Sequence, residues 1–415
     1  MIVFLRIVCL FTFLGISAIC EAGSWNIKKD SELSEVKEAV ALAEAYDTLY
    51  IHEGLYLESK IEIHKPLNII GVNNPVIDSE GGDEIFVVFA DDVRISGITL
   101  KNIGVSYIED RAAIKLNQVN RAVIEDNHLV NSFFGIYIKN SHDCIVRNNL
   151  IVGEAEGEVQ AGNAIHAWKS DGIQIIGNEV IDHRDGIYLE FVNGSLIRGN
   201  LSKNNMRYGL HFMFSNYNIY EDNTFERNGA GVAVMFSKHI RMINNVFTEN
   251  WGGSSYGVLL KEISDGLMVN NTFDRNTTGI YAEGANRITI ENNDFINNGK
   301  AMDIKGNCVD NKVLANNFIG NTFEVLTNSR SNLNHFEGNY WGQYKGYDLD
   351  KDGIGDVPHR PVNLFALVTD RIPAAHMLLH SFLVNGLEVA ERMFPSMIPE
   401  QLVDEKPLIK PRRND

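Results

Sequence analysis

Met213 and Met235 each open a Met-Phe-Ser triplet, in "HFMFSN" (residues 211–216) and "AVMFSK" (residues 233–238), and they stand 22 residues apart. His211 lies two residues before the first of them, and His166 and Trp168 lie further upstream. Thioethers and imidazoles are soft to borderline donors, a set that suits Cu(I) and suits Ca²⁺ or Mg²⁺ poorly. A second set is built from oxygen. "DLDKDGIGD" places Asp348, Asp350, Asp352, Gly353, Ile354 and Asp356 at positions 1, 3, 5, 6, 7 and 9 of a Ca²⁺-type loop, with Ile354 offering a backbone carbonyl and the glycine making the sharp turn. Position 12 is His359 where such loops carry a bidentate Glu, so that ligand is missing or comes from elsewhere. The bland alternatives are a Met/Phe stripe packed under a loop or partner, and a solvated acidic turn. What decides between them is whether the chain brings these residues together.

The positioning element is a repeat. A short β-branched run ending in Asn recurs at Asn127, Asn149, Asn178, Asn200, Asn223, Asn245, Asn271, Asn293, Asn317 and Asn339. Successive spacings are 22, 29, 22, 23, 22, 26, 22, 24 and 22 residues. Between these markers sits a small residue (Gly135, Ala164, Gly186, Gly209, Gly231, Gly257, Gly279, Ala301) that opens a β-rich run. The arc from small residue to Asn is 14 residues long in all copies but the last, so insertions collect in the other arc. A period near 22 with two or three short strands per copy excludes a propeller blade and lacks a leucine-rich-repeat signature. It predicts an all-β, parallel β-helix spanning residues 23–345, with coils about 4.8 Å apart. The Asn column reads as an internal ladder at a bend, where a left-handed backbone is needed. Ahead of the coils, "DSELSEVKEAVALAEAY" predicts a capping helix with Asp30 or Ser31 as its N-cap.

Alternation along each β-run predicts the orientation of the methionines. The first and third positions after the small residue are apolar in copy after copy, as in Leu210 and Phe212 or Val232 and Val234, and so face the core. The fourth position reads Lys139, Trp168, Glu190, Met213, Met235, Lys261, Glu283, Lys305. Charges on both flanks mark that column as outward-facing. Met213 and Met235 are therefore neighbours on an outer face, with His211 beside them and His166 and Trp168 two coils away. Two insertions, "GEAEGEVQAG" and "TENWGGSSYG", fall just before this face in coils that bracket the pair.

Composition and termini narrow the class. A formal charge of −17 and the absence of a Lys/Arg cluster outside the "KPRR" tail argue against a nucleic-acid partner. Residues 1–22 read as a secretory signal, with Arg6 before an apolar core and cleavage expected after Ala22; a lipoprotein cut before Cys20 is the alternative. After cleavage only Cys144 and Cys308 remain. They lie about seven coils apart, roughly 30 Å at this rise, so two free thiols are expected. Beyond the Asp-rich segment (346–361), residues 362–415 leave the repeat. Leu378, Leu379, Phe382, Leu383, Leu387, Val389, Ala390 and Met393 trace a helical apolar face, followed by a Pro-rich tail.

"YGLHFMFSN…GAGVAVMFSK", "NYWGQYKGYDLDKDGIGDVPHRP" and "AERMFPSMIPE" together resemble the NosD family of nitrous oxide reductase maturation proteins, over essentially the whole mature chain. The resemblance implies a periplasmic, right-handed β-helix that works with an ABC-type ATPase and a membrane permease. It further implies a non-catalytic role in assembling the copper sites of nitrous oxide reductase, with copper received from a lipoprotein chaperone; for residues 362–415 it favours docking onto the permease, the alternative being a cap on the C-terminal end of the solenoid. The rival class is a carbohydrate-active β-helix enzyme (lyase, epimerase or glycosidase). His183, Arg184 and Asp185 ("DHRDG") are of the residue types such enzymes use. The acids of the outer columns, Glu190, Glu283 and Asp303, are several coils apart, too far to cooperate on one glycosidic bond. Asp185 is expected to bond His183 at a bend.

Overall fold

The computed structural model describes residues 22–106, 108–329, 333–362 and 402–412, with scattered positions between 365 and 387. The signal segment and most of the expected apolar face after Leu378 lie outside these residues. Strands run from Ser24 to Trp341 and form three parallel sheets of 14, 12 and 13 strands. Each coil gives one strand to each sheet, so the architecture is the all-β parallel helix that the repeat predicts.

An α-helix, α1 (Val36–Leu42), sits at the N-terminal end with Val36, Ala39 and Val40 buried. Its N-cap is Glu35, with no capping side chain of its own, which corrects the expectation of Asp30 or Ser31. Ser31 Oγ instead donates to the carbonyls of Lys28 and Leu33. The free N–H groups of Val36 and Lys37 both donate, at 2.8 Å, to the carboxylate of Glu58. A side chain 22 residues downstream in sequence does the work of a local cap.

Asn residues hold the coils in register. In the ladder from Asn127 to Asn339, each Asn donates its backbone N–H to the Oδ1 of the Asn in the next coil, and its Nδ2 also donates within the core, as at Asn200 and Asn223. The left-handed residue is the one before the ladder Asn (Asp126, Asn148, Gly177, Gly199, Asp222, Asn244), so turning and bridging fall to different positions. The penultimate rung is Asn316 and not Asn317: Asn293 donates to Asn316, and Asn316 to Asn339. Ala315 takes the left-handed place there, and Asn317 turns out to Asp294 and the backbone of Arg412. A second ladder, Asn205–Asn228–Asn250–Asn276–Asn298–Asn321, holds another bend. Its signal is the repeated Phe-x-x-Asn at residues 225–228, 247–250, 273–276, 295–298 and 318–321. The same phenylalanines stack through the core and end on Trp341, with ring centroids 4.2–5.4 Å apart.

That stack accounts for the glycine in four copies, Gly209, Gly231, Gly257 and Gly279. A Cβ on Gly257 would sit 2.9 Å from Phe273 Cδ1 and 2.7 Å from the Gly279 carbonyl oxygen. Cys144 and Cys308 are free and buried, and burial pushes the Cys144 thiol up to about 11.

The C-terminal end is closed by the tail. Asp404 is fully buried. Its carboxylate accepts hydrogen bonds from Gly338 N, Asn339 N, Asn339 Nδ2, Trp341 Nε1 and Lys406 N at 3.0–3.1 Å. It stands where the next ladder Asn would be.

Candidate metal centre on the outer face

Five adjacent strands of the 12-stranded sheet carry the residues in question: β1 (Asn163–Trp168), β2 (Asp185–Glu190), β3 (Tyr208–Met213), β4 (Ala230–Met235) and β5 (Tyr256–Lys261). Their register aligns Trp168, Glu190, Met213, Met235 and Lys261 in one row, and His166, Tyr188, His211, Ala233 and Leu259 in another. Met213 and Met235 are direct partners on neighbouring strands and half-buried. Residues at the first and third positions, such as Leu210, Phe212, Val232 and Val234, are wholly buried in the core.

The second row departs from simple outward exposure. His211 retains only 5% of its accessible surface, because rings cover rings. Tyr137, His166, Tyr188 and His211 follow one another with centroids 4.4–4.9 Å apart, and Tyr208 covers His211 from the side at 4.9 Å. Tyr188 stands between the two imidazoles, so His166 does not join His211 around one ion. Trp168 is likewise two strands, about 10 Å, from Met213, and its ring lies under the ammonium groups of Lys139 and Lys169 at 5.6 and 4.4 Å. Of the five residues singled out, the fold brings together Met213, Met235 and His211. Burial lowers His166 to about 3, so its ring is neutral.

Three residues that the sequence did not flag for this face complete it. Tyr188 stacks on His211 at 4.4 Å with planes 10° apart, and its hydroxyl donates to Met213 Sδ at 3.6 Å. Asp185 is fully buried and holds Arg207 in a two-pronged pair at 2.8 and 2.5 Å. Its Oδ2 also lies 3.5 Å from His211 Nδ1. Burial acts to raise the Asp185 carboxyl, but Arg207 and His211 outweigh it and hold it below the usual carboxylate range. That is the opposite of what a general acid needs. The expected bond from Asp185 to His183 does not form. His183 is buried next to Gly153, at the start of the first insertion, and its backbone N–H donates to Asn205.

Beside the methionines runs an exposed ring stack. Phe191, Phe214 and Phe236 follow Glu190, Met213 and Met235 in the chain and stack with centroids 5.1 Å apart. Each is about 40% exposed, and each has a left-handed backbone, with φ of 55°, 52° and 52°. Bulky side chains avoid that conformation, and other coils place Asn140, Lys169, Glu262 or Gly284 there.

In the Asp-rich loop, Asp348, Asp350 and Asp352 each bring a carboxylate oxygen within 4.8 Å of the others. Asp356 accepts from Leu349 N at 2.7 Å, and Ile354 pairs with Leu408 of the tail. The Asp352 N–H favours the charged form of Asp350, but repulsion from Asp352 leaves its carboxyl above the ordinary value. His359, at position 12, is turned away to Glu324, at 2.9 Å.

The class is a parallel β-helix solenoid whose outer face brings a half-buried pair of thioethers beside an imidazole. Residues 40–160 and 152–346 match the family model described as periplasmic copper-binding protein (NosD). The chain belongs to the NosD family. It is 29% identical over 373 residues to a protein of Stutzerimonas stutzeri named "Probable ABC transporter binding protein NosD", covering 85% of each chain. A protein of the same name from Pseudomonas aeruginosa is 28% identical over 84% of this chain and 85% of its own. Among solved structures, the fold is similar to a Streptococcus pneumoniae surface adhesin, PfbA (TM-score 0.55, 13% identity, 78% of this chain and 91% of that one). It is also similar to a Thermotoga maritima exopolygalacturonase (TM-score 0.50, 13% identity, 75% and 91%) and a Streptomyces thermodiastaticus α-1,3-glucanase (TM-score 0.54, 10% identity, 75% and 65%). These three share the fold. Among the described residues no helix is long and apolar enough to cross a membrane.

Proposed function

We propose that this chain is an exported, non-catalytic accessory protein for assembling the copper sites of nitrous oxide reductase, and that it handles Cu(I) on Met213, Met235 and His211. In this reading it acts in the periplasm, held at the inner membrane by a permease and ATPase of ABC type, and takes copper from a chaperone lipoprotein. Family membership and the relatives' names support the setting. The single observation that carries the copper reading is the register pairing of Met213 with Met235 on an outer face. Two thioethers and one imidazole make a three-donor Cu(I) set with one side open for transfer. The stacked phenylalanines beside it offer an apolar contact for the donor, and residues 362–415 are the proposed permease-docking segment.

The test is an anaerobic Cu(I) titration of the mature protein against a competing chelator. Met213→Ala/Met235→Ala should weaken binding at least about 100-fold, since two of three ligands are lost. Equal affinity in both proteins would place the metal elsewhere, and no binding to the unsubstituted protein would mean the face only receives the copper donor.

We further propose that Asp348, Asp350, Asp352, Asp356 and the Ile354 carbonyl hold a structural Ca²⁺ that relieves the repulsion raising Asp350. Millimolar Ca²⁺ should then raise the thermal midpoint relative to chelator, and Asp348→Ala/Asp352→Ala should abolish the difference. An unchanged midpoint in the unsubstituted protein rules the ion out.

A further inference from the structure

The proposed copper set leaves one question open: what makes His211 present the correct nitrogen. Imidazole carries one proton when neutral, and a metal needs the nitrogen that lacks it. In solution the proton exchanges between the two nitrogens. A buried ring with no directing partner would spend part of its time in the wrong tautomer, with Nε2–H facing the metal.

Three features surround His211. Asp185 Oδ2 lies 3.5 Å from Nδ1, and neither ring nitrogen has a closer hydrogen-bond partner. Asp185 is in turn fixed by both prongs of Arg207, the residue just before the strand of His211. Tyr188 lies flush on the imidazole and Tyr208 closes the side, so ring rotation is blocked. In the register Asp185 is the partner of Tyr208, at the start of β3, while Met213 ends it. A ring that turns Nδ1 toward Asp185 therefore turns its opposite edge, with Nε2, toward the Met213 end of the strand.

We infer that Asp185 is a positioning residue for the copper site: it accepts the Nδ1–H of His211, holding the proton on that nitrogen, and so leaves Nε2 bare as the third ligand beside Met213 and Met235. This rests on the copper reading above and adds to it a residue with no contact to the metal. It also gives the buried Asp185–Arg207 pair a use at this site. Arg207 keeps the carboxylate ionised and aimed, and Asp185 keeps the imidazole aimed. Carboxylates behind metal-binding histidines commonly change affinity 10- to 100-fold on removal.

The test uses the full mature chain in two arms. In the first, the metal-free protein is labelled with ¹⁵N at histidine, and His211 is assigned by the signal lost in His211→Gln. The expected spectrum shows His211 protonated on Nδ1 and bare on Nε2. A ring protonated on Nε2, or a fast-averaged mixture, overturns the inference. This arm needs no copper, so it decides the question even if the copper reading fails. In the second arm, Cu(I) affinity and X-ray absorption are compared between the unsubstituted protein and Asp185→Asn. The expected result is a 10- to 100-fold loss and a first shell reduced from two sulfurs and one nitrogen to two sulfurs. Unchanged affinity with the nitrogen retained overturns the inference. If Asp185→Asn does not fold, the tautomer in the unsubstituted protein stands as the deciding observation.

Discussion

Asp404→Ala should cost about 4 kcal/mol and free the tail, because one carboxylate satisfies five donors. A ladder whose members donate forward must end on something that accepts without donating. A carboxylate is such a group; another Asn is not, because it brings two N–H donors of its own. Removal strands Asn339 N and Trp341 Nε1 in the interior, each costing about 1–3 kcal/mol if left unpaired, and takes the partner of half-buried Gly338 N and one of the two bonds of Asn339 Nδ2, which keeps Val313 O, with partial relief from entering water. The tail also loses its anchor, though backbone bonds between Leu408 and Asn339 and between Gly355 and Pro407 remain. Chemical denaturation followed by limited proteolysis checks this: the midpoint falls, and cleavage within residues 402–412 speeds up at least about tenfold. Asp404→Asn should fall between the two, since it keeps one acceptor oxygen. A variant as stable and as protease-resistant as the unsubstituted protein would show that the tail is not the cap.

Inside the ladder the expected loss is of similar size. Asn223→Ala removes Nδ2 bonds to Ile197 O and Asn245 Oδ1, at 2.9 and 3.0 Å. It also removes the oxygen that receives both donors of Asn200, at 2.9 Å. Four buried groups on the two flanking coils each lose a bond, Ile197 O, Asn200 N, Asn200 Nδ2 and Asn245 Oδ1, of which Asn200 Nδ2 keeps Ile175 O and Asn245 Oδ1 keeps the Asn223 N–H, while the Ala side chain leaves a void of amide size. About 3–5 kcal/mol is expected. The effect should be centred on the coils holding Asn200, Asn223 and Asn245, because a solenoid communicates mainly between nearest neighbours. Hydrogen exchange resolves this: protection should fall at Ile197 to Asn245 and persist near Asn293. A uniform loss along the whole chain, or none, contradicts the ladder as the local clamp.

The two results bear on the outer face as well. Met213 and Met235 are neighbours only because their coils are in register, and the Asn bends set that register. A slip of one residue between β3 and β4 would send one methionine into the core and leave the other without a partner.

How much of this was legible in the sequence follows from the range of the forces involved. A ladder requires the same side chain once per coil, so Asn at intervals near 22 revealed the solenoid, and alternation separated core columns from outer ones. The pairing of Met213 with Met235 came from the same arithmetic. The arithmetic went astray by one residue where two asparagines adjoin: Asn316 takes the rung expected of Asn317, 23 residues from both Asn293 and Asn339, and Ala315 adopts the left-handed turn before it. The second ladder was legible as Phe-x-x-Asn but lay in the arc where insertions obscure the count.

Only the tertiary structure decided which outer residues are covered and by what. His211 is outward by alternation yet buried, since Tyr188 and Tyr208 close over it from β2 and from its own strand. Asp185 pairs with Arg207, 22 residues away, and α1 is capped by Glu58 of another coil. Asp404 ends a ladder whose last rung is 65 residues earlier. Periodic patterning follows from backbone geometry and repeats with the chain, so sequence alone carries it. Single polar contacts between distant segments occur once, have no period, and exist only when the coils are stacked.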